Sequence, residues 1–216
     1  MSHVSLALPG LALQRGFRGC SNRLDDFAGL GNLAIGTRPD KKGLFTLYED
    51  QVVASCRNDC IACPLALDES ILDGAIVQFA PESEEEVSCP AGCNQFVTTI
   101  SRMTPSPNFA YAVRVRGLFS QLRISPLPHY HPAHEIPDSL LCRLGQIRGL
   151  LLGFYFPTLL DDVAWSGYRF HFLSEDHTVT GRLVDCEIGN PQIALQHLEE
   201  CRITLPKTSD FQLADF

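Results

Sequence analysis

Residues 167–182, GYRFHFLSEDHTVTGR, constrain the fold more than any other stretch. GYRFHFLS reads as a strand, a polar turn follows, and a second strand carries Arg182. Arg169 and His171 stand two apart, so both side chains leave the same face of a sheet. Arg182 returns after the turn and can meet them. The hairpin therefore gathers two arginines and one histidine on one inward-facing patch.

Other segments extend the β reading. FAYAVRVRGLFSQLRI (109–124) reads as strand, with YAVRVRGLF alternating most clearly, and GLFTLYEDQVVAS (43–55) reads as strand with apolar residues at Leu44 to Leu47 and a polar tip at Glu49-Asp50. LALQRGF, QFVTTISRM, GLLLGFYF, RLVDCEIG and RITLP also read as strands. RLDDFAGLG reads as a short helix ending at glycine. NPQIALQHLEEC reads as a helix with Asn190 as N-cap and Pro191 at the first helical position. The fold class expected is α+β, with mixed and antiparallel sheets and few helices. One domain over 1–216 is expected, with an N-terminal sheet half to about 125 and a C-terminal half from about 139.

The chain has 216 residues, 45% hydrophobic and 19% charged, which supports a core and excludes wholesale disorder. Its net charge of −8 argues against nucleic-acid or anionic-membrane partners. Clustered arginines are the more informative against that acidic background. The N-terminal apolar run lacks a basic flank and is interrupted at Pro9-Gly10, and GLLLGFYFPTLL is too short to span a bilayer. A cytoplasmic location is the expectation.

Nine cysteines fit a reducing compartment with mostly free thiols. Cys20, Cys142, Cys186 and Cys201 are scattered and read as structural. Cys56, Cys60, Cys63, Cys89 and Cys93 fall in an insertion over about 56–94. They are compatible with a structural zinc site, with disulfides or with uncoordinated thiols. A proline-rich stretch holds His129, His131 and His134; it reads as a loop bordering a pocket, with metal binding as an alternative. His177 is expected to face solvent.

The segment 149–185 resembles the core signature of the α-acetolactate decarboxylase family. Gly149, Gly153, Phe154, Pro157, Gly167, Tyr168, His171, Phe172, Ser174, Asp176 and Gly181 fall in register with it. GNLAIGT (31–37), KGLFTLYEDQV, FAYAVRVRGLF and TLPKTSDF are similar to further family segments. The resemblance implies the family's fold, a homodimer and a small-molecule substrate. Three histidines hold zinc in that family, and the matching positions here are Arg169, His171 and Arg182. The family's glutamate falls on Leu44 and its catalytic arginine on Ser125; Asp210 lies near its late glutamate.

Guanidinium groups only donate hydrogen bonds and stay protonated, so they do not ligate zinc. The expectation is a zinc-independent enzyme acting on an anionic keto or β-dicarbonyl substrate by decarboxylation, isomerisation or cyclisation. Arg169 and Arg182 would hold the anion, His171 would move the proton, and Arg123, Ser125 and Leu44 would border the substrate. An inactive scaffold or binder, and a surviving decarboxylase making acetoin, are the alternatives.

Overall fold

The computed structural model describes residues 2–8, 10–19, 22–39, 43–55, 59–87, 91–128 and 136–215. The chain runs β1 (His3–Leu6), α1 (Gly10–Gln14), β2 (Asn22–Arg23), α2 (Leu24–Ala28), β3 (Leu33–Thr37), β4 (Leu44–Tyr48) and β5 (Gln51–Ser55). It continues through β6 (Ala62–Pro64), β7 (Ser70–Ile71), β8 (Asp73–Val77), β9 (Ser83–Glu86), β10 (Ala91–Gly92) and α3 (Cys93–Met103). Then follow β11 (Ala110–Ser125), β12 (Cys142–Leu144), β13 (Ile147–Phe156), β14 (Gly167–Ser174), β15 (Thr180–Leu198), β16 (Glu200–Ile203) and α4 (Ser209–Gln212). The α+β expectation with mixed and antiparallel sheets holds.

Two larger sheets carry the structure. The first runs β16-β1-β8-β3-β4-β5-β6, antiparallel except for the parallel β1–β16 pair. In the second, β11 pairs β13, β13 pairs β14, β14 pairs β15, and β15 returns to pair β11. That circuit is closed, so it has an inside and an outside.

Period-two alternation fills both faces. Tyr111, Val113, Val115, Leu151, Phe170, Phe172, Ile193 and Leu195 pack together on one face, joined by Phe96 and Ile100 of α3. Ala112, Leu150, Leu152, Phe154, Leu173 and Ala194 point the other way and pack with Val4, Leu6, Leu33, Ile35, Ala75 and Val77 of the first sheet. The layer between the sheets is therefore a dry apolar core over most of its extent. Close approach inside the second sheet requires Gly153, where an added Cβ would sit 2.0 Å from the Arg169 carbonyl oxygen.

Three local readings are corrected. Residues 190–198 are strand, because β15 runs unbroken along β11 and buries Ile193 and Leu195 on one face. Asn190, at φ +43°, lies beside a register shift in that strand and caps no helix. LALQ belongs to α1, not to a strand. QFVTTISRM belongs to α3, where Phe96 and Ile100 share a buried face despite the β-branched run. Of the other segments, the hairpin 44–55 turns at Glu49, which takes φ +53°.

Candidate functional site

At one end the layer between the sheets turns polar. Thr37, the last residue of β3, faces Asp73 on β8 and Leu44 on β4, continuing the face of Leu33, Ile35, Ala75 and Val77. Arg169 and His171 continue the Leu173 face of β14. Arg182 is the direct cross-strand neighbour of His171, and Ser125 of Arg182. The sequence-defined patch thus exists. Its opposite wall is an acid, Asp73, that the hairpin could not reveal.

His171 is fully buried. Its Nδ1 lies 3.1 Å from the Phe45 carbonyl oxygen and 3.0 Å from Thr46 Oγ1. A carbonyl only accepts, so Nδ1 carries the ring proton and Nε2 carries the lone pair. Thr46 Oγ1 lies 3.2 Å from Thr180 Oγ1, which donates to the Phe172 carbonyl at 2.8 Å. This chain of hydroxyls fixes the ring. Burial, together with Arg182 and Arg169, lowers its pKa to about 3 against the Phe45 hydrogen bond. His171 is therefore neutral at pH 7.

Arg182 is also buried and donates from Nη1 to the Pro128 carbonyl at 2.8 Å. Arg169 lies with its guanidinium carbon 4.4 Å from the Trp165 ring centroid. Burial lowers the pKa of each arginine to about 10, so both stay charged. No carboxylate oxygen among the described residues comes within 4.0 Å of Arg169. The carboxylates nearest in sequence are engaged elsewhere: Asp176 bonds Ser174 and Thr178, and Asp185 pairs with Arg123.

A cavity of about 170 Å³ opens beside Arg169. Asp73, Arg18, Gln14, Leu13 and Trp165 also line it. Arg18 is anchored by Nη1 to the Leu13 and Phe17 carbonyls at 2.9 and 2.7 Å. Asp73 is 5% exposed, and its Oδ1 has no hydrogen-bond partner. Burial raises the Asp73 pKa to about 6, against the pull of Arg169, the Thr37 backbone and Arg18. The cavity therefore combines a cation with a carboxyl that exchanges protons near neutral pH.

The other expected residues fall in different places. Leu44 and Ser125 are fully buried, Ser125 Oγ accepting from the Leu127 amide at 3.1 Å. Arg123 is not brought to the patch: it is 3.6 Å from Asp185 and lines a separate groove. Asp210 is an exposed residue of α4, and His177 faces solvent. Cys60 is buried, Cys63 exposed and Cys93 intermediate, while Cys56, Cys89, His129, His131 and His134 lie outside the described residues. No group of three His, Cys, Asp or Glu side chains among the described residues could hold a metal.

Comparison with known proteins places this arrangement. Residues 11–216 match the alpha-acetolactate decarboxylase family. The chain belongs to that family. It is 26% identical to the alpha-acetolactate decarboxylase of Bacillus licheniformis over 191 residues, 86% of this chain and 75% of the relative. Identity to the Methylococcus capsulatus enzyme is 25% over 218 residues, 94% of this chain and 80% of the relative. The solved alpha-acetolactate decarboxylase of Bacillus subtilis superposes with a TM-score of 0.88 at 23% identity, covering 99% of this chain and 93% of that one. A Staphylococcus aureus protein of unknown function, similar to alpha-acetolactate decarboxylase, gives 0.89 at 19% identity, covering 99% and 94%.

The family's resemblance implies zinc at the positions of Arg169, His171 and Arg182. The donor set does not fit it. Two of the three side chains have no lone pair to give, and both are cations that repel a divalent ion. Among the described residues the side chains at these three positions form a cationic patch. No helix among them is long and apolar enough to cross a membrane.

Proposed function

We propose that this chain is a zinc-independent enzyme of the alpha-acetolactate decarboxylase family that acts on a small anionic keto acid. The observation that carries the reading is the cavity where Arg169, charged and with no carboxylate oxygen of the described residues within 4.0 Å, faces the buried Asp73 carboxyl. Arg169 binds the oxygen on which charge develops, through charge-assisted hydrogen bonds. Asp73 delivers or removes the proton. Arg182 and neutral His171 form the rigid wall behind Arg169.

The placement of the cation matters for the reaction. Gripping a carboxylate that departs as carbon dioxide would stabilise the ground state and slow the step. Arg169 accelerates it only when it holds the keto oxygen. The electron pair of the breaking C–C bond then forms an enolate on that oxygen, and protonated Asp73 returns a proton to carbon. The same two groups serve an isomerisation, in which Asp73 first removes a proton and then restores it.

A second reading has its own observation. Arg182 holds the carbonyl of Pro128, the residue that precedes His129 in a stretch also carrying His131 and His134. In this reading the histidines of that stretch hold a metal, and the chain makes acetoin as its family name implies. Acetoin formation from 2-acetolactate, measured with added zinc and after chelation, separates the two. Zinc-dependent product would sink the proposal. Turnover of 2-acetolactate or a related keto acid that survives chelation and is lost in Asp73→Asn supports it.

A further inference from the structure

Away from this cavity, two cysteines of the chain lie together with no assigned role. β10 and β15 are antiparallel, with Ala91 facing Ile188 and Gly92 facing Glu187. Cys93 and Cys186 are the next residues in that register. Each thiol perturbs the titration of the other. Both line an open groove of about 270 Å³ together with Asn94, Gln95, Arg123 and Asp185. A small polar reagent in the groove therefore has access to the pair.

The two thiols are not equivalent. Cys93 is partly exposed and is the first residue of the eleven-residue helix α3, where unpaired backbone N–H groups favour an anion. Cys186 is buried at 4% exposure, behind it on β15. The hydrogen bond from Cys186 lowers the Cys93 pKa, although burial and the Asp185 charge oppose this. The same contact, with burial, holds Cys186 above the usual thiol range. Cys60 is likewise perturbed by Cys142, but Cys60 is buried at 3% exposure and does not line this groove.

We infer that Cys93 and Cys186 form a peroxide-reactive dithiol, Cys93 as the attacking thiolate and Cys186 as the resolving thiol. Cys93 Sγ attacks one oxygen of a hydroperoxide and the O–O bond breaks. The leaving oxygen takes a proton and departs as water or an alcohol, and Cys93 becomes a sulfenic acid. Cys186 Sγ then attacks the Cys93 sulfur, an S–S bond forms, and the hydroxyl leaves as water with the Cys186 proton. The two sulfurs lose two electrons in total and the peroxide gains them. The bond ties the start of α3 to β15, and an external thiol reverses it.

The test treats the reduced full chain with hydrogen peroxide, blocks remaining thiols and maps peptides without reduction. The expected product is one cross-linked peptide pair joining Cys93 to Cys186, lost on treatment with dithiothreitol. In Cys186→Ala the cross-link is absent and Cys93 is labelled by a sulfenic-acid-specific probe. In Cys93→Ser the cross-link is absent and Cys186 is not labelled by that probe. Melting curves of the reduced variants confirm that each is folded. Cys93 joined to Cys89 or any other partner, Cys93 left reduced, or Cys186 oxidised in Cys93→Ser would each overturn the assignment.

Discussion

Arg169 rests on the face of Trp165, its guanidinium carbon 4.4 Å from the ring centroid, with the Asp73 carboxyl across the same cavity. A ring face satisfies a cation without neutralising it, so the charge stays available to an anion in the cavity. Trp165 is the sole tryptophan of the chain. Its emission therefore reports directly on what Arg169 binds.

Binding of 2-acetolactate should change the Trp165 emission in a saturable way. Replacing Arg169 with Met keeps the apolar stem and removes the charge. Loss of a charged hydrogen bond of about 2 kcal/mol weakens the dissociation constant about thirtyfold. Equal affinity in Arg169→Met, measured by calorimetry, would remove Arg169 from the site.

Asp73 and His171 give opposite signs to the pH dependence of stability. The folded Asp73 pKa of about 6 lies above its ordinary 3.8, so between these values the folded chain holds more protons and stability falls as pH rises. The folded His171 pKa of about 3 lies below 6.5, so stability falls as pH drops through that window. The two contributions oppose each other between about pH 4 and 6. Asp73→Asn removes the first, and its denaturant midpoint should rise with pH more steeply than that of the parent. The variant should also gain about 3 kcal/mol relative to the parent in going from pH 3.5 to 7.5. Parallel stability profiles would show that Asp73 is not a buried titrating group.

The β13–β14 contact leaves no space at Gly153, where a Cβ would meet backbone 2.0 Å away. Gly153→Ala must push apart the strands that carry Phe154 and Arg169. A loss of about 2 kcal/mol or more in unfolding free energy is expected. Gly189, whose nearest neighbour would lie 3.8 Å away, provides the control, and Gly189→Ala should cost much less. Equal melting temperatures for the two variants would contradict the packing.

Thr46 Oγ1 links the His171 ring to Thr180. Thr46→Val keeps the shape and removes the hydroxyl, at an expected cost of about 1–2 kcal/mol. The Phe45 carbonyl remains as an acceptor, so nitrogen chemical shifts should still report the proton on Nδ1. A switch of the proton to Nε2 in this variant would show that Thr46, not Phe45, fixes the tautomer.

The alternation in 109–124 and 167–182 determined strands and their faces, because a side-chain period of two needs no tertiary information. It also placed Arg169 and His171 on one face, and the turn brought Arg182 opposite His171. Short segments with mixed signals were decided elsewhere. Residues 190–198 carry a helix-start pattern, yet the open edge of β11 captures them as strand, since backbone pairing and burial outweigh a cap. Residues 95–103 carry β-branched residues, yet they form a helix whose Phe96 and Ile100 pack on the second sheet. Asp73 was invisible as a partner, because it lies 96 positions before Arg169 and meets it only when β8 and β14 face each other across the sheets. The protonation states were likewise settled by burial, which raises Asp73, lowers His171 and exists only once the two sheets close. The two arginines and the histidine of the patch were written in the chain; the acid across from them and the protonation states were written by the packing.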